Sequence, residues 1–161
     1  MTLNFMRKFP DGTDTNFVSK IWASLLTDPH YYIKPECDAF IGQEFVKNAD
    51  NFFPKIHTIR KGRRWRAGNR IHFKQWTGAP YRSKTFCFAP TYTCASVQNV
   101  AVEPPTACSR GRLYIDGKEL IQSEIEELAI NDGFDSADCF FKWFNEETDN
   151  LQLIHWTSKR Y

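Results

Sequence analysis

Arg70-Ile71-His72-Phe73-Lys74-Gln75-Trp76-Thr77 alternates polar and apolar residues, and that pattern restricts the chain more than any other. In a strand, side chains two apart share a face, whereas a helix repeats every ~3.6 residues. Ile71 and Phe73 therefore face one side, and Arg70, His72, Lys74 and Trp76 face the other. Gly68-Asn69 and Gly78-Ala79-Pro80 bracket the stretch with turn residues. A sheet is required, and the rest of the chain must supply its partners.

Further strands are expected over Thr2–Phe9, Ile56–Arg60, Ser83–Phe88, Thr93–Glu103 and Leu151–Thr157. Asp116-Gly117 between short apolar runs predicts a hairpin within Gly111–Leu120. A helix is expected over Asn16–Leu26, capped by Thr15 or Asn16 and stopped by Asp28-Pro29. Ser123-Glu124-Ile125-Glu126 reads as a capping box opening a second helix, which Gly133 ends. Asp135 or Ser136 caps a third, carrying Phe140, Phe141 and Phe144. Residues 27–53 hold a candidate strand at Tyr31–Ile33 and a candidate helix at Ala39–Lys47, and read as an insertion. The order is that of a small α+β domain with a mostly antiparallel sheet, closed into a barrel.

At 161 residues the chain suits one domain with that insertion. No apolar run approaches the ~20 residues of a membrane helix. The N-terminus lacks the apolar region of a signal peptide. The five cysteines show no C-x-x-C spacing, which points to reduced thiols and a cytoplasmic protein. The histidines form no cluster at ligand spacing, so neither a metal nor another cofactor is expected.

The net charge of +2 conceals a segregation. Residues 55–102 contain no Asp or Glu but ten Lys and Arg, while residues 119–149 hold ten acids and only Lys142 as a cation. A basic stretch of this kind suits a polyanion. Alternatively, the two halves neutralise each other in the fold.

The basic stretch begins with Pro54-Lys55-Ile56-His57-Thr58-Ile59-Arg60. Strand parity puts Thr58 and Arg60 on one face and His57 and Ile59 on the other. Lys55 has the wrong parity to join Thr58 on a regular strand and needs a bend beside Pro54. Lys61, Arg63, Arg64, Trp65 and Arg66 follow as a basic loop ending at Gly68. Cations with Trp65, and Lys74 with Trp76 on the next strand, are the residue types that hold phosphates and stack on bases. The plainer alternative is an outward polar face whose tryptophans cover the core.

Lys55-Ile56-His57-Thr58-Ile59-Arg60 resembles the K-x-x-T-I-R signature of the ASCH domain, within the PUA-like superfamily. Arg64–Ile71 is similar to the family's basic stretch leading to a Gly and a strand. Glu127–Phe134 with Cys139–Phe144 resembles its late helical pair, and Leu153–Thr157 resembles the last strand of bacterial and phage-borne members. The resemblance implies a PUA-like β-barrel with a cleft beside the first helix that binds RNA or a nucleoside. It also implies a possible amidohydrolase activity that deacylates N4-acylated cytidine. In that activity Thr58 is the nucleophile, Lys55 its activator and Asp132 the carboxylate. The family pattern has Glu at the place of Asp132, and Glu127 or Asp135 are alternatives for it.

Three functions follow. The first is RNA or nucleotide binding by Arg60, Lys61, Arg63, Arg64, Trp65, Arg66, Lys74 and Trp76. The second is the amidohydrolase using Lys55, Thr58 and Asp132. The third is an interaction protein whose basic face meets an acidic partner.

Overall fold

In the computed structural model, residues 1–27 and 49–161 are described. They form two units, the first within Met1–Lys55 and Asn69–Thr93, the second made of Ile56–Gly68 and Cys94–Tyr161. The candidate segments at Tyr31–Ile33 and Ala39–Lys47 lie outside the described residues.

The first unit opens with β1 (Thr2–Phe5) and α1 (Phe17–Leu26). Asn16 precedes α1 at a left-handed φ of 51°, and its side chain does not cap the helix. The Thr15 hydroxyl, the other expected cap, accepts from Phe17 N at 3.4 Å and donates to the Met6 carbonyl at 2.8 Å. The second unit then begins with β2 (His57–Lys61), one residue later than expected. Back in the first unit, β3 (Arg70–Trp76) keeps the alternation read from the sequence, with Ile71, Phe73 and Gln75 buried. β1 runs parallel to β3, pairing Leu3 with Phe73. β4 (Thr85–Cys87) and β5 (Tyr92–Thr93) pair with β3 antiparallel. Leu3, Phe5, Ile71, Phe73 and Phe88 are buried in the core of this unit, as are Ile21 and Leu25 of α1, and the Phe5 ring packs edge-on to Phe17 of α1 at 6.2 Å. The Phe5 and Phe73 rings stack at 6.3 Å, and the Trp22 indole donates to the Phe88 carbonyl at 3.1 Å.

The second unit adds β6 (Ser96–Glu103), β7 (Arg112–Ile115), β8 (Lys118–Glu119) and β9 (Thr148–His155). Its sheet has the order β2-β9-β6-β7-β8, all neighbours antiparallel. The strand expected over Thr93–Glu103 is broken in two. Cys94 and Ala95 leave the ladder there, with the Cys94 carbonyl accepting from Gly68 N and Ala95 N donating to the His155 carbonyl, both at 2.8 Å. The Asp116-Gly117 hairpin is present, with both residues at positive φ, 51° and 86°. The Asp116 carboxylate accepts from Asn99 N and Gln98 Nε2, which pins the turn to β6.

α2 (Gln122–Asn131) and α3 (Ala137–Trp143) follow the hairpin. α2 starts two residues before the expected box. Ile121 is its N-cap, and the Glu124 carboxylate accepts from Ile121 N at 2.9 Å, while Ser123 lies inside the helix. Gly133, at φ 89°, stops α2 as expected: Gly133 N donates to Ile130 O and Phe134 N to Ala129 O. Ser136 caps α3 through Cys139 N.

The class is α+β with two mostly antiparallel sheets. Neither sheet closes into the expected barrel: the first is built around β3, and the second runs from β2 at one edge to β8 at the other. The alternation of each strand specifies its faces but not its neighbours, so it left closure undetermined. No helix among the described residues is long and apolar enough to cross a membrane.

Candidate functional site

The signature residues divide between the two units. Lys55 belongs to the first. It precedes β2, so strand parity does not govern it. Its backbone N–H donates to the Lys20 carbonyl of α1 at 2.8 Å, and its ammonium sits 4.8 Å from the centre of the Phe17 ring. Lys55 is 1% exposed, unusual for a lysine.

Thr58, Arg60 and Asp132 belong to the second unit. Ile56 N donates to the Asn131 carbonyl at 3.0 Å, tying the start of β2 to the end of α2. Asp132 is the C-cap of α2 and is 3% exposed. A carboxylate there opposes the helix dipole, whose C-terminal end is negative. A buried acid at the unfavourable end of a helix is poorly explained by stability alone.

Alternation along β2 is as expected. Thr58 pairs with Ile154 of β9 and shares its face with Arg60, while His57 pairs with His155 and points the other way. Thr58 is 3% exposed, and its hydroxyl has no hydrogen-bond partner among the described residues. Asp132 meets His57, with Oδ1 3.5 Å from Nδ1. The other ring nitrogen, Nε2, is 2.9 Å from the Tyr161 phenol, which also accepts from Asn131 Nδ2 at 2.8 Å. Burial raises the Tyr161 phenol above its usual pKa, against the Asn131 hydrogen bond, so it stays protonated. The main chain of Tyr161 is held by both ends of the Gln98 amide.

His155 packs edge-on to His57 at 5.4 Å. It is fully buried, and neither ring nitrogen has a hydrogen-bond partner among the described residues. Burial, then the nearby charges of His57 and Arg160, pushes its pKa down to about 3. It is neutral at ordinary pH. Among the described residues no group of three His, Cys, Asp or Glu is placed to hold a metal ion.

The basic loop is more ordered than the sequence suggests. Trp65, expected to stack on a base, is 2% exposed. Both of its backbone groups are gripped by the Gln152 amide, at 3.0 and 3.2 Å. Arg63 is exposed but spans to Asn99 Oδ1 and the Asp149 carbonyl. Lys61, Arg64 and Arg66 are exposed and Arg60 is half-buried. Lys61 and Arg64 have no ion-pair partner among the described residues. Five acids of the second unit pair with later cations instead: Glu103 with Arg112, Asp116 with Arg160, Glu119 with Arg110, Glu124 with Lys118 and Glu127 with Lys159. For these acids, neutralisation of the basic stretch is ruled out in favour of local pairing.

Lys74 and Trp76 lie in the first unit, half-buried on the polar face of β3. The Trp76 ring lies 5.4 Å from that of Tyr81, which is 90% exposed. On the same face, burial and then the charges of the N-terminus, Arg70 and Lys74 lower the pKa of His72.

His57, His155, Asn131 and Tyr161 were not singled out by the sequence. The histidines were visible on expected strands, but only the sheet register sets them opposite one another. No protein-family model matches the chain, and no curated protein and no solved structure matches it.

Proposed function

We propose that the protein is an ASCH-like domain that binds RNA or a nucleotide. The observation that supports this reading is the pairing of charges. Lys61 and Arg64 are exposed with no acidic partner among the described residues, while acids of the same unit are occupied by other cations. Phosphate is the natural counter-charge for such cations, and Arg60 and Arg66 add to the same segment. Arg63 serves the loop's own structure, and Trp65 holds its base as a buried anchor. In the first unit, Trp76 and the exposed Tyr81 are a separate candidate surface for stacking on a base. Titration of fluorescent single-stranded RNA at several salt concentrations tests the reading: affinity falls steeply with salt and drops in Lys61→Ala/Arg64→Ala. Salt-independent binding, or none, contradicts it.

A second reading is favoured by Thr58, a residue 3% exposed whose hydroxyl has no hydrogen-bond partner among the described residues and is not among the fully buried unpaired polar atoms. An unoccupied hydroxyl suits a nucleophile. In deacylation of N4-acylated cytidine the Thr58 oxygen adds to the acyl carbon and the C–N bond breaks. The amine leaves with a proton, and water then cleaves the acyl-threonine ester to release the acid. Asp132, in the same unit as Thr58, is the candidate carboxylate that takes the threonine proton and relays it to the leaving amine; Lys55, the activator in the resemblance, belongs to the first unit. Loss of acetate release from N4-acetylcytidine in Thr58→Ala, with unchanged melting, supports this reading. Unchanged turnover in that variant removes it.

A further inference from the structure

We propose that the first unit carries its own site for single-stranded nucleic acid. Bases stack on Trp76 and Tyr81, and Arg70, Lys74, Arg82 and Lys84 hold the phosphates. The inference rests on the nucleic-acid reading and adds to it the form of strand and a second set of contacts.

Charge points to a polyanion. Residues 69–93 contain these four cations and no Asp or Glu. Arg70, Arg82 and Lys84 are exposed and Lys74 is half-buried, and none has an ion-pair partner among the described residues. Arg70 and Lys74 share the polar face of β3 with Trp76. Register sets uncharged side chains beside them: Asn4 and Cys87 flank Lys74, and Thr85 lies next to Trp76. His72, between the two cations on that face, feels the same field. After burial, the N-terminal ammonium, Arg70 and Lys74 lower its pKa.

The aromatic pair decides which polyanion. The Tyr81 ring lies 5.4 Å from Trp76 at 52°, and Tyr81 is 90% exposed, so it adds little to the core. Its φ is nevertheless 61°, a conformation that suits Gly or Asn and strains a bulky residue. The turn is closed without the ring. Thr77 N and its hydroxyl both donate to the Lys84 carbonyl, and the Ser83 hydroxyl accepts from Gly78 N and donates to the Ala79 carbonyl. An aromatic ring held in water on a strained backbone, in a turn that other residues close, has its role outside the fold. Stacking on a base is that role. Bases in a duplex have their faces covered by their neighbours, so the strand must be unpaired.

The same turn forms one wall of a cleft of about 560 Å³, and Met6–Pro10 form the other. Arg7 and Lys8 on that second wall are exposed and also have no ion-pair partner among the described residues. Met6, Pro10 and Pro80 make part of the lining apolar. A cleft of this size, apolar with cations at hand, has room for one nucleotide beside the stacking pair.

The test is fluorescence anisotropy on the intact protein with a labelled uridine oligomer of about 12 nucleotides, single-stranded and annealed to its complement. The single strand should bind more tightly. Tyr81→Gly, which suits the left-handed backbone, should melt as the wild type does and bind the single strand about tenfold more weakly, whereas Tyr81→Phe keeps the ring and the affinity. Arg82→Ala/Lys84→Ala, two exposed positions, should make the salt slope shallower by about 1.4. Wild-type affinity in Tyr81→Gly overturns the inference. So does an equal loss on single strand and duplex. Lys61→Ala/Arg64→Ala scores the loop of the second unit separately. Binding lost in Tyr81→Gly but kept in that variant removes the loop and leaves this inference standing. The reverse pattern removes this inference and leaves the loop. A wild type that binds neither probe removes both.

Discussion

Gln152 holds Trp65 by both of its backbone groups, across 87 residues of chain. The amide oxygen accepts from Trp65 N and the amide nitrogen donates to Trp65 O, so one side chain on β9 fixes the base of the basic loop. Gln152→Ala leaves two buried backbone groups without partners. It should cost about 2–3 kcal/mol, seen as a lower urea midpoint with unchanged slope. Gln152→Glu can both accept and donate while its carboxyl is protonated but only accept once ionised in this buried place, so its cost should rise as pH increases.

A Cβ at Gly111 would sit 2.6 Å from Cζ of Phe141 and within 2.9 Å of two further ring carbons. Gly111→Ala should therefore destabilise by about 1–3 kcal/mol through overpacking. Phe141→Leu opens space, so Gly111→Ala/Phe141→Leu should be more stable than the sum of the single costs. Chemical denaturation of the three variants measures this coupling. Strict additivity would show that the ring is not the obstacle.

His155 makes the fold acid-sensitive. Its folded pKa of about 3 is below the ordinary value of 6.5. The unfolded chain therefore binds a proton that the folded chain refuses. Stability from this residue is fully present above the unfolded pKa and is lost as pH falls from about 6.5 towards 3. The loss is roughly 3–5 kcal/mol over that window. His57, Asp132, Asp116 and Arg160 are the charged neighbours that modulate it. His155→Leu removes the titration and an imidazole without partners among the described residues. Unfolding midpoints between pH 4 and 7 should therefore vary less in the variant. An equally steep variant would assign the acid sensitivity elsewhere.

Much of the local structure was written in the residues around each element. Alternation gave β3 its faces, Asp116-Gly117 the hairpin, and Gly133 the end of α2. The parity of β2 correctly separated Thr58 from His57. The failures share a physical origin. Alternation does not name a strand's partners, so the parallel β1–β3 pair and the two open sheets were not foreseen. Ser123 matched a capping box, but the backbone turned at Ile121 and used Glu124 alone. Trp65 looked like a stacking residue because it sits among cations, and only Gln152, 87 residues away, explains why it is buried. His57 and His155 became a pair through register, and Tyr161 through folding of the final residues over β6.

The central claim is that the exposed cations of the Lys61–Arg66 loop hold phosphate. Its most direct measurement is the salt dependence of RNA binding, by fluorescence anisotropy, in wild type and in Lys61→Ala/Arg64→Ala. The wild type should show log affinity falling linearly with log salt, and the variant a slope shallower by about 1–2. Arg63→Ala should keep the wild-type slope. Equal slopes in wild type and double variant, or no binding by the wild type at low salt, would contradict the account.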